Sequence, residues 1–242
     1  MIERKILADL ATKKETTFFN ICREYLQNLF LAKFYQKSGS EDFLFKGGTA
    51  LRLVFGSPRF SEDLDFTGIK NGVSYEKILE DVLVELSLEN LEVGLVESKP
   101  TSGGYFSLLA FNLFGEKIEI EEEVSFRPKV GPEREAALVA GELSPAYKVY
   151  LLGRKILVAE KARALITRQK PRDIFDLYFI LRNEQLRKWL KLTEEEREMI
   201  LSLLKEKDKR EINRELKNLL PKSFWPIIKD LPMVLKWELG RN

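Results

Sequence analysis

The chain has 242 residues, 44% of them hydrophobic and 32% charged; this excludes a disordered tail and leaves room for one large domain or two small ones. It contains no histidine and a single cysteine, Cys22, which excludes a Ser-His-Asp triad, imidazole acid–base chemistry, His-ligated zinc or haem, Cys-rich zinc sites and any internal disulfide. The formal net charge of +2 is unevenly spread: residues 1–144 hold 17 Lys/Arg against 24 Asp/Glu, and residues 145–242 hold 23 against 14. The acidic half suits gathering cations and the basic half suits meeting an anion, unless the latter is a set of Lys-rich solvated helices. Any metal would be held mainly by oxygen, as Mg²⁺, Mn²⁺ or Ca²⁺ are. The start, MIERKILADL, is charged from its third residue, unlike a signal peptide. The longest uncharged run, Pro100 to Gly115, is too short and too polar to span a bilayer. A reducing, cytoplasmic setting is expected.

Residues 16–36 carry apolar side chains at 18, 19, 22, 25, 26, 29, 30 and 31, the spacing of a helix with a wide buried stripe. A short strand is expected over Phe43–Phe45, ended by Gly47-Gly48. Thr49 is placed to N-cap a helix through Leu51, Leu53 and Val54, which Gly56, Ser57 and Pro58 break. Phe60–Phe66 then alternates as a strand, and Ser74 caps an amphipathic helix, SYEKILEDVLVELSL. Glu97 and Lys99 lead into a second β region. GYFSLLAFNLFGEKIEIEEEVSF is expected to form a hairpin with Gly115-Glu116 at the turn; Ile118 and Ile120 face one way, Glu119, Glu121 and Glu123 the other. After a short strand over Tyr147–Leu152 the pattern is helical nearly to the end. This order indicates an α+β fold with an all-helical C-terminal part, and domains of 1–148 and 149–242.

The stretch KGGTALRLVFGSPRFSEDLDF, residues 46–66, carries the chemistry. Alternation puts Ser61, Asp63 and Asp65 on one face of the expected strand, with Leu64 and Phe66 turned to the core. Two carboxylates about 6.5–7 Å apart along a strand repel unless a cation lies between them. An outer polar strand face is the plainer explanation of such a pair. A calcium loop is excluded: the run Asp63–Gly68 starts like one, but its twelfth position is Ser74, where a bidentate Glu is required. The Gly-Gly turn running into a helix offers free N–H groups for a phosphate. A third carboxylate from Glu119, Glu121 or Glu123 would complete a two-metal site of the kind that transfers phosphoryl or nucleotidyl groups. Arg59 either reaches a triphosphate or lies on the surface.

Gly-Gly, helix, then D-x-D on the next strand resembles the DNA polymerase β-type nucleotidyltransferase superfamily. More closely, FKGGTALRL…RFSEDLDF, VAEKARAL (158–165) and PRDIFDL (171–177) resemble the AbiEii/AbiGii-type nucleotidyltransferase toxin family, over about residues 40–180. The resemblance implies a polymerase β-type core, a mixed sheet flanked by helices. It implies that Gly47 and Gly48 form a phosphate-binding turn with Thr49 beside it, that Ser61 lies next to the site, and that Asp63 and Asp65 ligate Mg²⁺ or Mn²⁺, with two metals expected. It makes Lys161 a contact to the nucleotide phosphates and Asp173 its helper, and favours Glu121 as the third carboxylate.

Eight Lys/Arg and one acid, Glu160, lie between residues 148 and 172, and on a helix Lys161 and Arg168 share a face. Alternatively Lys161 pairs with Asp173; Arg172 and Asp176 are expected simply to join helices. The expected function is a Mg²⁺-dependent nucleotidyltransferase toxin that moves NMP from an NTP to RNA, by resemblance the acceptor end of tRNA, and that is countered by a cognate antitoxin. No DNA or membrane partner is expected. The alternatives are nucleotidylation of a protein or small-molecule hydroxyl, and a non-catalytic GTP- or ATP-binding module.

Overall fold

The computed structural model describes residues 2–69, 74–127 and 133–241. The chain divides into two compact units, one of Met1–Val54 with Phe60–Gly153, the other of Arg154–Asn242 with the short segment Phe55–Arg59. The first contains α1 (Arg4–Lys13), α2 (Phe18–Phe34), β1 (Phe43–Lys46), α3 (Gly47–Leu53), β2 (Leu64–Ile69), α4 (Tyr75–Leu88), β3 (Glu92–Thr101), β4 (Gly104–Leu113), β5 (Glu116–Arg127), β6 (Arg134–Val139) and β7 (Tyr147–Leu152). All seven strands form one sheet in the order β3-β4-β5-β2-β1-β7-β6. It is mixed: β5 is parallel to β2 and β7 to β1, while the other neighbours are antiparallel. The α+β class and the mixed sheet are as expected. Residues 148 and 149 lie inside β7, and the two units divide after Gly153.

Helix α2 covers one face of this sheet. Its N-terminus is capped by Thr17, whose hydroxyl accepts from the Asn20 amide, as small polar residues do at that position. Phe34 on α2 meets Phe66 of β2 at 5.1 Å, Tyr75 of α4 at 5.8 Å and Phe43 of β1 at 6.0 Å between ring centroids. Fully burying rings of this size contributes on the order of 2–3 kcal/mol each, so this aromatic knot fixes which sides of β1 and β2 face inward. By alternation, Lys46 and Asp65 then face the other way. At the β4–β5 turn, Phe114 and Gly115 both have positive φ, 56° and 83°, the conformation a tight two-residue hairpin needs.

Two local expectations are corrected. The strand expected over Phe60–Phe66 starts only at Leu64. Ahead of it the chain is an extended strap whose carbonyls are bonded by side chains rather than by a ladder. Gln27 donates to the carbonyls of Ser61 and Glu62, each at 3.1 Å, and Thr49 donates to that of Asp63. Thr49 is not the N-cap: α3 begins at Gly47 with Lys46 before it, and the Thr49 hydroxyl is buried. Helix α1 and strand β6 lie outside the expected elements. The alternation of β6 rests on alanines and one exposed leucine, Leu138, a weak signal.

The second unit is helical: α5 (Arg154–Arg168), α6 (Pro171–Arg182), α7 (Glu194–Glu206), α8 (Lys209–Leu219), α9 (Trp225–Ile228) and α10 (Leu231–Arg241). Pro171 starts α6, where its fixed φ and missing N–H are tolerated. Ile174, Phe175, Leu177 and Ile180 are all fully buried, a helix apolar on most of its circumference and hence central. Helices α5, α8 and α10 pack on it. Ile200, Ile212, Leu216, Leu231 and Leu235 from the last 60 or so residues close this core. No described helix is long and apolar enough to cross a membrane.

Candidate active site

In the sheet unit, Gly47 and Asp65 are fitted to each other. Gly47 has φ +79°, and a Cβ there would lie 1.9 Å from Asp65 Oδ2 and 2.7 Å from its Cγ. Glycine is therefore required twice, for the left-handed backbone and to leave room for a carboxylate over the turn. Asp63 stands two residues earlier, in the strap before β2, half-buried, with its carbonyl accepting from Thr49. The parallel pairing sets Asp65 opposite Glu123 and Leu64 opposite Glu122. Like charges directly across a ladder repel, so the Asp65–Glu123 pair favours positive charge, part of which Lys46, opposite Asp65 on β1, supplies. Glu121, two residues before, pairs with Leu108, and β2 begins one position beyond it.

The register continues in both directions. Lys46 pairs with Asp65, Asp65 with Glu123, Glu123 with Phe106, and Phe106 with Lys99. One row of side chains thus crosses five strands on a single face. It lies in the wall of a cavity of about 490 Å³ that Thr101 and Ser125 also line. Lys46 reaches across β2, its Nζ donating to Ser125 Oγ at 2.9 Å. On the opposite face Glu122 is fully buried and accepts from Tyr75 at 2.9 Å and Ser107 at 2.7 Å, while its Oε1 has no partner. Burial raises its pKa from 4.5 to about 7, against those two hydrogen bonds.

In the helical unit the central polar group is Asp176, fully buried on α6. Arg59 clasps it with two hydrogen bonds, at 2.7 and 2.9 Å, and Lys161 of α5 adds a third at 2.8 Å. Burial alone would raise the Asp176 pKa; Arg59 and then Lys161 overcome it and hold the carboxyl well below the usual aspartate range. The alternative pairing of Lys161 with Asp173 does not form; Lys161 bonds Asp176, three residues further along α6. Asp173 instead meets Arg168 at 2.9 Å, and its Oδ2 is buried without a hydrogen-bond partner. Arg59, expected either at a triphosphate or on the surface, is only 3% exposed and ion-paired.

Residues 29–230 match the model of a family described as nucleotidyl transferase AbiEii toxin, Type IV TA system. The chain belongs to this family. It is a nucleotidyltransferase of the AbiEii type, as its Gly-Gly and D-x-D motifs led one to expect. Among solved structures it is similar to MenT4, a nucleotidyltransferase toxin from Mycobacterium tuberculosis, with a TM-score of 0.62 and 17% identity, covering 100% of this chain and 91% of that one. It is also similar to JHP933 from Helicobacter pylori, with a TM-score of 0.57 and 18% identity over 93% and 95% of the two chains. At such identities the likeness is one of fold. None of the curated proteins compared with the chain matches it.

Whether an AbiEii chain of this geometry fits a divalent metal depends on its donors. Asp63, Asp65 and Glu123 offer hard oxygen ligands, which suits Mg²⁺ or Mn²⁺. Yet among the described residues no three acidic groups converge closely enough to cage an ion. The set therefore fits an ion held by one or two carboxylates and completed by water and substrate phosphate, the usual manner of Mg²⁺. The sequence motifs single out neither Lys46 nor Phe106, and they leave Glu119, Glu121 and Glu123 as candidate third carboxylates with Glu121 favoured. The hairpin register could have been counted outward from the Phe114-Gly115 turn, but the parallel β2–β5 pairing has no local signal.

Proposed function

We propose that this AbiEii-family chain transfers NMP from an NTP to an RNA hydroxyl, with the acceptor end of tRNA as the preferred target, and that a cognate antitoxin restrains it in the cytoplasm. The observation that supports this best is Asp65, seated over Gly47 and opposite Glu123. When bound, Mg²⁺ would neutralise the triphosphate and polarise the reacting oxygens. Asp63 and Asp65 would hold it, with water and phosphate oxygens completing its shell; of the β5 glutamates, Glu123 rather than Glu121 is the one across from Asp65.

The rest of the work falls to the chain's own groups. Gly47 and Gly48 bring backbone close to the phosphates, and Thr49 fixes the strap that carries Ser61 and Asp63. Lys161, oriented by Asp176, has N–H donors beyond the one that Asp176 accepts, and it stabilises charge on the phosphates. Asp173, with an unpartnered buried oxygen, assists beside it. Arg59 is assigned to holding Asp176 rather than to the nucleotide. The basic half, with Arg154, Lys155 and Arg168, meets RNA phosphates.

Incubating the protein with each labelled NTP, Mg²⁺ and total RNA tests this reading. Label in RNA is expected. Label in protein or in a small molecule, or nucleotide binding without transfer, contradicts it.

A further inference from the structure

The cavity extends well beyond the carboxylates, and its far wall has no part in the chemistry just described. That wall is the outer face of the β3–β4 ribbon. Phe106 stands there half-buried in an otherwise polar row, next to Glu123 across the β4–β5 ladder and next to Lys99 across the β3–β4 ladder. Lys99 Nζ sits 5.4 Å from the Phe106 ring centroid and forms an ion pair with Glu97 at 2.5 Å. Both charged side chains remain largely open, at 56% and 44% exposure.

A solvated outer strand face gains little from a phenylalanine, and Lys99 over a ring is by itself an ordinary surface contact. What singles Phe106 out is its address. It lines the same cavity as Asp65 and Glu123. Because it is two strands from Asp65, it lies about 10 Å from it across the sheet, and Lys99 is one strand further. That separation is of the order of the span from a nucleotide's α-phosphate to its base. A cavity of about 490 Å³ is within the usual range for a small-molecule site.

Resting on the nucleotidyltransferase reading above, we propose that this wall is the nucleobase subsite. The base of an NTP whose phosphates lie at Asp65 and Glu123 stacks on the Phe106 ring. Glu97 and Lys99, an acceptor and a donor at the rim, meet the polar edge of the base and set which of the four is preferred. A π-face accepts any base, so Phe106 supplies affinity and the charged pair supplies choice.

The test is a set of binding titrations on the full chain in Mg²⁺, using each of the four NTPs and, separately, inorganic tripolyphosphate. The wild type is expected to bind at least one NTP more tightly than tripolyphosphate. Phe106→Ala should weaken that NTP roughly tenfold or more, the usual effect of losing a stacked base, and leave tripolyphosphate unchanged. Phe106→Tyr should restore the NTP, and Lys99→Ala should alter the ranking of the four bases. Should Phe106→Ala fold poorly, Phe106→Leu keeps the packing, lacks the ring and carries the same forecast. Unchanged NTP affinity in these variants, or equal weakening of NTP and tripolyphosphate, overturns the subsite. A wild type that binds tripolyphosphate as tightly as every NTP overturns the subsite alone. One that binds neither overturns the nucleotidyltransferase assignment of this face as well.

Discussion

Gly47→Ala and Gly56→Ala form a matched pair that isolates the fit between the Gly-Gly turn and Asp65. Both glycines have left-handed backbones, φ +79° and +77°. Alanine in that region costs roughly 1–2 kcal/mol, offset by about 0.4–1 kcal/mol because it also restricts the unfolded chain. Each variant should therefore lose about 1 kcal/mol from its backbone, or some 2–4 °C of melting temperature in a chain of this size. They differ in what the new methyl meets. At Gly56 nothing lies within 4 Å, whereas at Gly47 the methyl falls 1.9 Å from Asp65 Oδ2. The Asp65 side chain must swing aside, and a displacement of about 1 Å in a reacting array can cost 10²-fold in rate. Thermal melts with a turnover assay on the same samples give the comparison. Gly47→Ala is expected to lose at least 10²-fold in turnover, and Gly56→Ala to keep it. Equal turnover in the two variants would refute the argument that Gly47 is glycine for the sake of Asp65.

Asp176→Asn should destabilise the protein by about 3–5 kcal/mol, since it strands two buried cations, and urea melts would detect this as a lowered midpoint. Because the Asp176 pKa is depressed in the fold, its stabilisation is present at neutral pH and is lost as pH falls below the ordinary aspartate range; the variant should lack this acid-dependent loss. Glu122 behaves in the opposite sense. Its pKa of about 7 against 4.5 means that the folded state holds a proton the unfolded chain releases, so stability declines as pH rises from about 4.5 through 7. Glu122→Gln should remove a penalty on the order of 3 kcal/mol at pH 8.5, read from denaturant midpoints at pH 5 and 8.5; parallel pH profiles for variant and wild type would contradict this. Lys161→Met leaves Arg59 on Asp176, so apo stability should fall only by about 1.5–3 kcal/mol, while turnover per folded molecule falls 10²–10³-fold. Near-normal turnover per folded molecule would make Lys161 a scaffold residue.

Much of the fold was legible where the signal is local. The α2 stripe, the Gly115 turn, the Ser74 cap and the alternation of Ile118 and Ile120 each depend on neighbours within a few residues. The strap before β2 was not, because its carbonyls are bonded by Gln27 and Thr49, residues 14 or more positions away. The D-x-D pair and the Gly-Gly turn stood out because two charges and two glycines among apolar residues need a reason. That Asp65 lies on Gly47 and across from Glu123 depends on strand order, since α4, β3 and β4 intervene between the parallel partners β2 and β5. That Asp176 joins helices was legible, but its partners Arg59 and Lys161 were not, for a related reason. Arg59 and Asp176 are 117 positions apart, and Asp173 offers the same charge one turn earlier.

The central claim is that the Asp65 face transfers nucleotides with a divalent cation, and Asp65→Asn tests it most directly. The measurement is transfer of labelled NMP to RNA in Mg²⁺, run beside a melt with and without NTP. Removing one of two repelling carboxylates should leave the apo melting temperature unchanged or slightly raised. Transfer should be abolished, and the stabilisation conferred by NTP and Mg²⁺ should shrink; Asp63→Asn should behave alike. Wild-type transfer by a folded Asp65→Asn protein would contradict the account.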